Sequence, residues 1–308
     1  RFDRARVEQL FHELEFRTLL QRIPEELGAE AAAPAKATVL PKAKEAAAYR
    51  TITKAKDLTA LAKIAKSAKR IGLHIENSDV NAMRGLPVGI AVATAAGEAA
   101  YIPVGHQPGL GDDDQLPLED VLAALRPVLE DGKVEKVTHN GKWAYVVLAN
   151  HGIEMRGLRF DTMIAAYLLG ESNMAIQTLA YDRLSMHVPA QADLVGKAGK
   201  NRLTMPAVAI DTARDYCCAQ ADAQLRAADV LAGELRARDL SALFVDVEMP
   251  LTTVLARMEL CGVAVEPGQL VEMSREMQSE LREIEREIYA SVGHELNIGS
   301  PQQLSQVL

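Results

Sequence analysis

Residues 72–104 read GLHIENSDVNAMRGLPVGIAVATAAGEAAYIPV, and this stretch decides the fold. Its runs at 72–76, 87–95 and 99–104 are apolar and rich in β-formers, with Gly- and Asn-containing turns between them, so it predicts three strands in quick succession. Downstream, helix and strand alternate. The segment LEDVLAALRPVLED at 118–131 places Leu118, Val121, Leu122, Leu125 and Leu129 at helical spacing, with Pro127 expected to kink or end it. A short strand is predicted at 134–138 and helices at 142–151 and 161–169, the latter with Asp161 as N-cap. After the Gly- and Lys-rich loop VGKAGKNRLT (195–204), a long helix is predicted over 208–238. Three early strands followed by alternation imply an α/β domain, a mixed sheet flanked by helices.

From about residue 241 the pattern is helical throughout. In 267–292, Leu270, Met273, Met277, Leu281, Ile284, Ile288 and Val292 recur at steps of three and four, while Glu and Arg crowd the other faces. Such a helix is roughly 39 Å long and is expected to project as an arm. The apolar stripe does not hold a strict heptad, which argues against a coiled coil.

Upstream, residues 4–24 look helical, and GAEAAAPAKATVLPKAKEAAA (28–48) reads as a flexible linker of small residues, prolines and lysines. Asp57 is a plausible N-cap for LTALAKIAKSAKR, with Leu58, Leu61, Ile64 and Ala68 on its inner side. Residues 41–70 hold nine basic side chains against two acidic ones, a local +7 in a chain whose formal net charge is -8. Lys63, Lys66 and Lys69 on this helix are either a solvated face or phosphate contacts.

The 308 residues suggest two domains, at roughly 100–200 residues each. With 48% hydrophobic and 25% charged residues, the chain has the composition of a soluble globular protein. Its acidity excludes a uniformly basic nucleic-acid-binding surface, and 13 aromatic residues are too few for a surface of stacking platforms. No apolar run is long enough for a membrane span, and the charged start is unlike a secretory signal. The chain starts without Met and is expected to be a piece of something longer. Cys217, Cys218 and Cys261 are sparse and odd in number, which suits a reducing cytoplasm and gives no zinc spacing along the chain. Gly105, Gly109 and Gly111 lack the spacing of a phosphate loop, no nucleophile elbow is present, and seven histidines are scattered without metal spacing.

Longer words carry a resemblance. LPVGIAVAT followed by AAYIPVGH, then KVTHNGKWAYVVLANHGIEMRGLRFDTMIAAYLL, GKAGKNRLT and VDVEMPLTTVLARMELCGVAVEP stand in this order, and ELNIGSPQQLSQVL closes the chain. From about residue 50 onward the chain resembles bacterial family A DNA polymerases, over the 3′–5′ exonuclease domain and the start of the polymerase domain. The resemblance implies a helical segment following a 5′-nuclease domain at 1–27 and a linker at 28–50. It further implies an exonuclease-like domain of ribonuclease-H-like fold at 51–240 and an all-α thumb segment at 241–308. It implies primer-template DNA as partner, a cytoplasmic monomer, no cofactor for this segment and Mg²⁺ for the parent polymerase.

Exonuclease chemistry in that family uses two divalent ions about 3.5–4 Å apart, held by convergent carboxylates because magnesium prefers anionic oxygen. Matched motif by motif, the Asp-x-Glu strand motif here reads His74 and Glu76. The Asp expected four residues after Asn140 is Ala144, and the helical Tyr-x-x-x-Asp reads Tyr216 and Gln220. Asp222 lies roughly 200° further round the helix and is expected to face away. Of four carboxylates only Glu76 remains, so the resemblance implies an exonuclease-like domain without proofreading. Two other readings stay open: a weak exonuclease using Glu76, His74 and Asp222 with manganese or zinc, and a DNA-binding module. Lys197, Lys200 and Arg202 are candidate contacts to single-stranded phosphate, and Arg275 and Arg282 to duplex phosphate, although neighbouring glutamates dilute the latter pair. Trp143 is expected to pack in the core, Tyr216 to be a buried ring, and Asp161 to cap a helix rather than bind metal.

Overall fold

The computed structural model describes residues 47–107, 114–196 and 202–307. These belong to a compact unit, Glu45–Leu308. The expectations for 1–27 and for all but the end of the 28–50 linker lie outside the described residues.

Six strands form one sheet: β1 (Ala48–Thr51), β2 (Arg70–Asn77), β3 (Pro87–Ala95), β4 (Glu98–Pro103), β5 (Glu135–Thr138) and β6 (Leu158–Asp161). Their order is β1-β4-β3-β2-β5-β6. The β2/β3 and β3/β4 pairs are antiparallel, while β1/β4, β2/β5 and β5/β6 are parallel, which makes the sheet mixed as the sequence predicts. The first strand is a correction. Ala48–Arg50, assigned above to the linker, pair with Glu98–Ala100, so the domain begins before residue 51.

One face of the sheet carries α1 (Ala55–Ser67), α2 (Leu118–Leu129) and α3 (Gly141–Asn150). Ile71, Leu73 and Ile75 of β2 point into this layer, against Leu58 and Leu61 of α1 and Leu125 and Leu129 of α2. The cap of α1 is Lys54, not Asp57, which sits in the first turn. Its buried face is Leu58, Leu61 and Ala65, whereas Ile64 is exposed. Pro127 does not stop α2 at once: the helix runs two residues past it and ends at Leu129, so the expected end comes within half a turn of the proline.

The other face carries α7 (Ile210–Ala237), reached through α4 (Thr162–Leu168), α5 (Ile176–Leu184), α6 (Gln191–Val195) and a 3₁₀ turn at Met205–Ala207. This 28-residue helix crosses β1 to β5 and packs Ala213, Tyr216, Cys217 and Ala221 against Val88, Ala91, Ala93 and Ala99. The small residues of β3 and β4 are what let its backbone come close.

After α7 all regular structure among the described residues is helical, and Leu243–Glu248 is a π-helical stretch running into α8 (Met249–Cys261). The Phe244 ring packs tilted against Phe160 at a centroid distance of 4.8 Å, and Ala256 of α8 joins the core beside α3. The predicted arm is α9 (Pro267–Val292), which buries none of its residues, and α10 (Pro301–Val307) follows. No helix among the described residues is long and apolar enough to cross a membrane.

Candidate functional site

The site lies where β2 passes beneath α7. Along a strand alternate residues share a face, so Gly72, His74 and Glu76 all look toward the helix. Along α7, Tyr216, Gln220 and Gln224 follow at steps of four, with Cys217 and Ala221 beside them, and these residues look back at the sheet. The Tyr216 ring stands edge-on to His74, 5.8 Å between centroids.

Glu76 is buried and both of its oxygens are engaged. Oε1 accepts from Gln191 Nε2 at 2.7 Å, and Oε2 lies 3.3 Å from His74 Nε2. Gln191 opens α6, and the carbonyl of Pro189, two residues before it, accepts from Gln220 Nε2 at 3.1 Å. The amide at position 220 therefore ties the α6 segment over the site. Gln224 Nε2 sits 3.5 Å from His74 Nδ1, while its Oε1 is buried without a hydrogen-bond partner.

A cavity of about 620 Å³ opens beside these groups, lined by His74, Glu76, His139, Trp143, Ala144 and Arg202 among others. Ala144, buried in the wall, contributes a methyl group and no donor atom. Trp143 packs partly against the core and donates from Nε1 to the Val80 carbonyl at 3.0 Å, so it is a packing residue whose ring also borders the cavity. His139 Nδ1 lies 2.9 Å from Thr162 Oγ1. Burial, with His74 adding to it, pushes the His139 imidazole down to about 4, which keeps it neutral at pH 7. Burial and the Glu76 carboxylate push the Cys217 thiol well up, so it is a neutral thiol as it stands.

Other sequence candidates are distributed elsewhere. Asp161 accepts from the backbone N–H groups of Asn140, Gly141, Met163 and Ile164, capping two helix starts at once. Asp222 faces away, as the helical arithmetic requires, and takes bonds from Tyr49, Gly97 and Arg226. Lys63 and Lys66 are exposed on α1 and Lys69 is exposed just past its end, and none of the three lines the cavity. Lys197 and Lys200 lie outside the described residues. Arg202 reaches the cavity rim, and Arg275 and Arg282 are exposed on α9.

Sequence reasoning missed Cys217, Gln191, Gln224 and His139. Gln224 carries a usable signal, since it stands one further turn along from Tyr216 and Gln220. Cys217 becomes visible only once the helix is laid on the strand: its sulfur, a His74 nitrogen and a Glu76 oxygen lie within 4.8 Å of one another.

Residues 49–236 match the 3′–5′ exonuclease domain family of type A DNA polymerases. The chain is 35% identical to DNA polymerase I of Pseudomonas aeruginosa over 309 residues, covering 97% of this chain and 33% of that protein. Among solved structures it is similar to the POL domain of Pol1 from M. smegmatis in complex with DNA primer-template and dNTP. That similarity has a TM-score of 0.62 and 28% identity, and it covers 84% of this chain and 40% of that one. Brucella melitensis NrnC shares the fold, at a TM-score of 0.50 and 16% identity, over 64% of this chain and 88% of its own.

Proposed function

The chain belongs to the 3′–5′ exonuclease domain family of DNA polymerase I, and from that membership we propose that it is part of a replication and repair polymerase whose exonuclease domain serves as a scaffold without proofreading activity. The chain spans about a third of the length of the Pseudomonas relative, so the catalytic carboxylates for nucleotide addition, with their Mg²⁺, are assigned to polymerase segments outside it. The scaffold would space the polymerase portion from what precedes it and support DNA, with Arg202, Arg275 and Arg282 as candidate phosphate contacts. The primer-template DNA held by the similar Pol1 structure supports this partner. We place the protein in the cytoplasm, as a monomer.

One observation carries the reading. At the positions that should present four carboxylates stand His74, Glu76 and Ala144, which line the cavity, and Gln220 of α7, and Glu76 is already held by His74 and Gln191. A pair of magnesium ions needs several anionic oxygens. One engaged carboxylate, a methyl group and an amide tied to the Pro189 carbonyl do not fit it.

The test is a mismatched, end-labelled primer incubated with the chain in Mg²⁺ and in Mn²⁺. The expected result is no release of single nucleotides above the no-protein control. Metal-dependent release that is abolished by Glu76→Ala defeats the scaffold reading.

A further inference from the structure

We propose that His74, Glu76 and Cys217 form a mononuclear site for a thiophilic divalent cation of the zinc class, with Gln224 as its positioning residue. Three donor atoms of different chemistry converge here from two elements: an imidazole nitrogen and a carboxylate oxygen from β2, and a sulfur from α7, all within 4.8 Å of one another. Ligands of one tetrahedral zinc ion stand about 3.3–3.8 Å apart, given bond lengths near 2.0–2.3 Å. His74 Nε2 and Glu76 Oε2, at 3.3 Å, already have that separation. Side-chain rotations of about an ångström close the rest.

The donor set selects the metal. Sulfur and imidazole favour zinc-class ions over magnesium, which takes hard oxygen ligands. Charge balances as well: a carboxylate and a thiolate together neutralise a divalent cation, which removes most of the cost of burying it. Coordination forms the metal–sulfur bond and breaks the S–H bond. The proton leaves to water through the cavity and no redox change occurs, so affinity rises with pH. Two of the three ligands, His74 and Glu76, border the cavity, from which water can supply a fourth ligand.

Gln224 supplies the second, independent observation. Its side chain is almost wholly buried and its Oε1 lacks a hydrogen-bond partner, while Nε2 sits beside His74 Nδ1. Turning that amide by 180° sets Oε1 against Nδ1. Oε1 then accepts the Nδ1–H proton, and the lone pair is fixed on Nε2, the nitrogen facing Glu76. This is how metal-bound histidines are held in their ligating tautomer.

The inference does not depend on the scaffold reading, because metal binding is read out without nuclease activity. The full chain, stripped with a chelator, is titrated with Co²⁺ and then with Zn²⁺, and bound metal is counted by mass spectrometry. One ion per chain is expected, with a thiolate-to-cobalt charge-transfer band that Zn²⁺ abolishes and Mg²⁺ does not. Cys217→Ala removes the band, while Cys261→Ala, which alters the exposed cysteine, keeps it. His74→Ala weakens Zn²⁺ binding by at least about 30-fold. Gln224→Leu weakens it about tenfold, and Gln224→Glu, which restores an acceptor for Nδ1–H, recovers the affinity. Absence of the band in the unmutated chain, its survival in folded Cys217→Ala, or displacement of Co²⁺ by Mg²⁺ overturns the site.

Discussion

Gly72 of β2 lies so close beneath Ala221 of α7 that a β-carbon on it would stand 2.2 Å from the Ala221 carbonyl oxygen. Backbone cannot swing aside as a flexible side chain can, so this glycine sets the depth at which the helix seats on the sheet. The same seating brings Cys217 and Gln224 down to His74.

Gly72→Ala is therefore expected to lift α7 and to cost about 3 kcal/mol, at the upper end of ordinary overpacking. That corresponds to a fall in Tm of roughly 6–12 °C for a unit of this size. Gly233, on the same helix, has nothing within 4 Å of its would-be β-carbon. There Gly233→Ala should stabilise by about 0.5–1 kcal/mol through helix propensity. Urea unfolding of both variants is the check, and equal effects would refute the seating argument.

Asp222 ties the first strand to α7. Its buried carboxylate accepts from Tyr49 Oη at 3.0 Å, Gly97 N at 2.9 Å and Arg226 Nε at 2.7 Å. Asp222→Ala strands all three donors and is expected to cost about 3–5 kcal/mol. Tyr49→Phe removes a single bond and should cost about 1 kcal/mol. Hydrogen exchange at the β1 amides should accelerate in both, more in the first. Unchanged protection of β1 in Asp222→Ala would show that the strand is held by its pairing alone.

These contacts mark where the sequence is legible and where it is not. Strands β2 to β4 announce themselves through apolar runs between turns, and the aim of Asp222 away from His74 and Glu76 follows from 100° per residue. β1 escapes because Ala48 and Arg50 continue the composition of the linker, and only pairing with β4 distinguishes them from it. On α1 the buried stripe passes through Ala65 rather than Ile64, a one-residue phase that hydrophobicity alone assigns to the larger side chain. His74, Glu76, Ala144 and Gln220 could be placed by motif. Cys217 could not, since its proximity to His74 depends on how far α7 sinks onto Gly72.

Lys136 gives a pH signature. It is buried in β5, with Nζ donating to the Asp131 carbonyl at 2.7 Å, and burial pushes its ammonium down to about 8. The folded chain thus holds fewer protons than the unfolded chain between about pH 8 and the ordinary lysine value. The burial penalty is complete below pH 8 and is relieved as pH rises through that window. Lys136→Met should add about 1–3 kcal/mol at pH 7 and abolish the rise in stability above pH 8. Chemical unfolding of both proteins across that range decides it, and parallel curves would refute it.

The scaffold reading makes its strongest demand on restored charge. His74 and Glu76 alternate on β2, Ala144 stands in the cavity wall, and Gln220 lies one turn along α7 from Tyr216. His74→Asp, Ala144→Asp and Gln220→Asp, made together, return four carboxylates to these motif positions. Without metal, four buried negative charges repel and desolvate, so the triple variant should melt well below the parent chain. Magnesium should recover the loss, because an ion that binds only the folded state raises its stability. If charge is all that was lost, the variant releases single nucleotides from a mismatched primer in Mg²⁺ at least about 100-fold faster than the parent chain. Magnesium-dependent recovery of Tm without nucleotide release would place the defect in the path of the DNA strand instead. A parent chain as fast as the triple variant would end the scaffold reading.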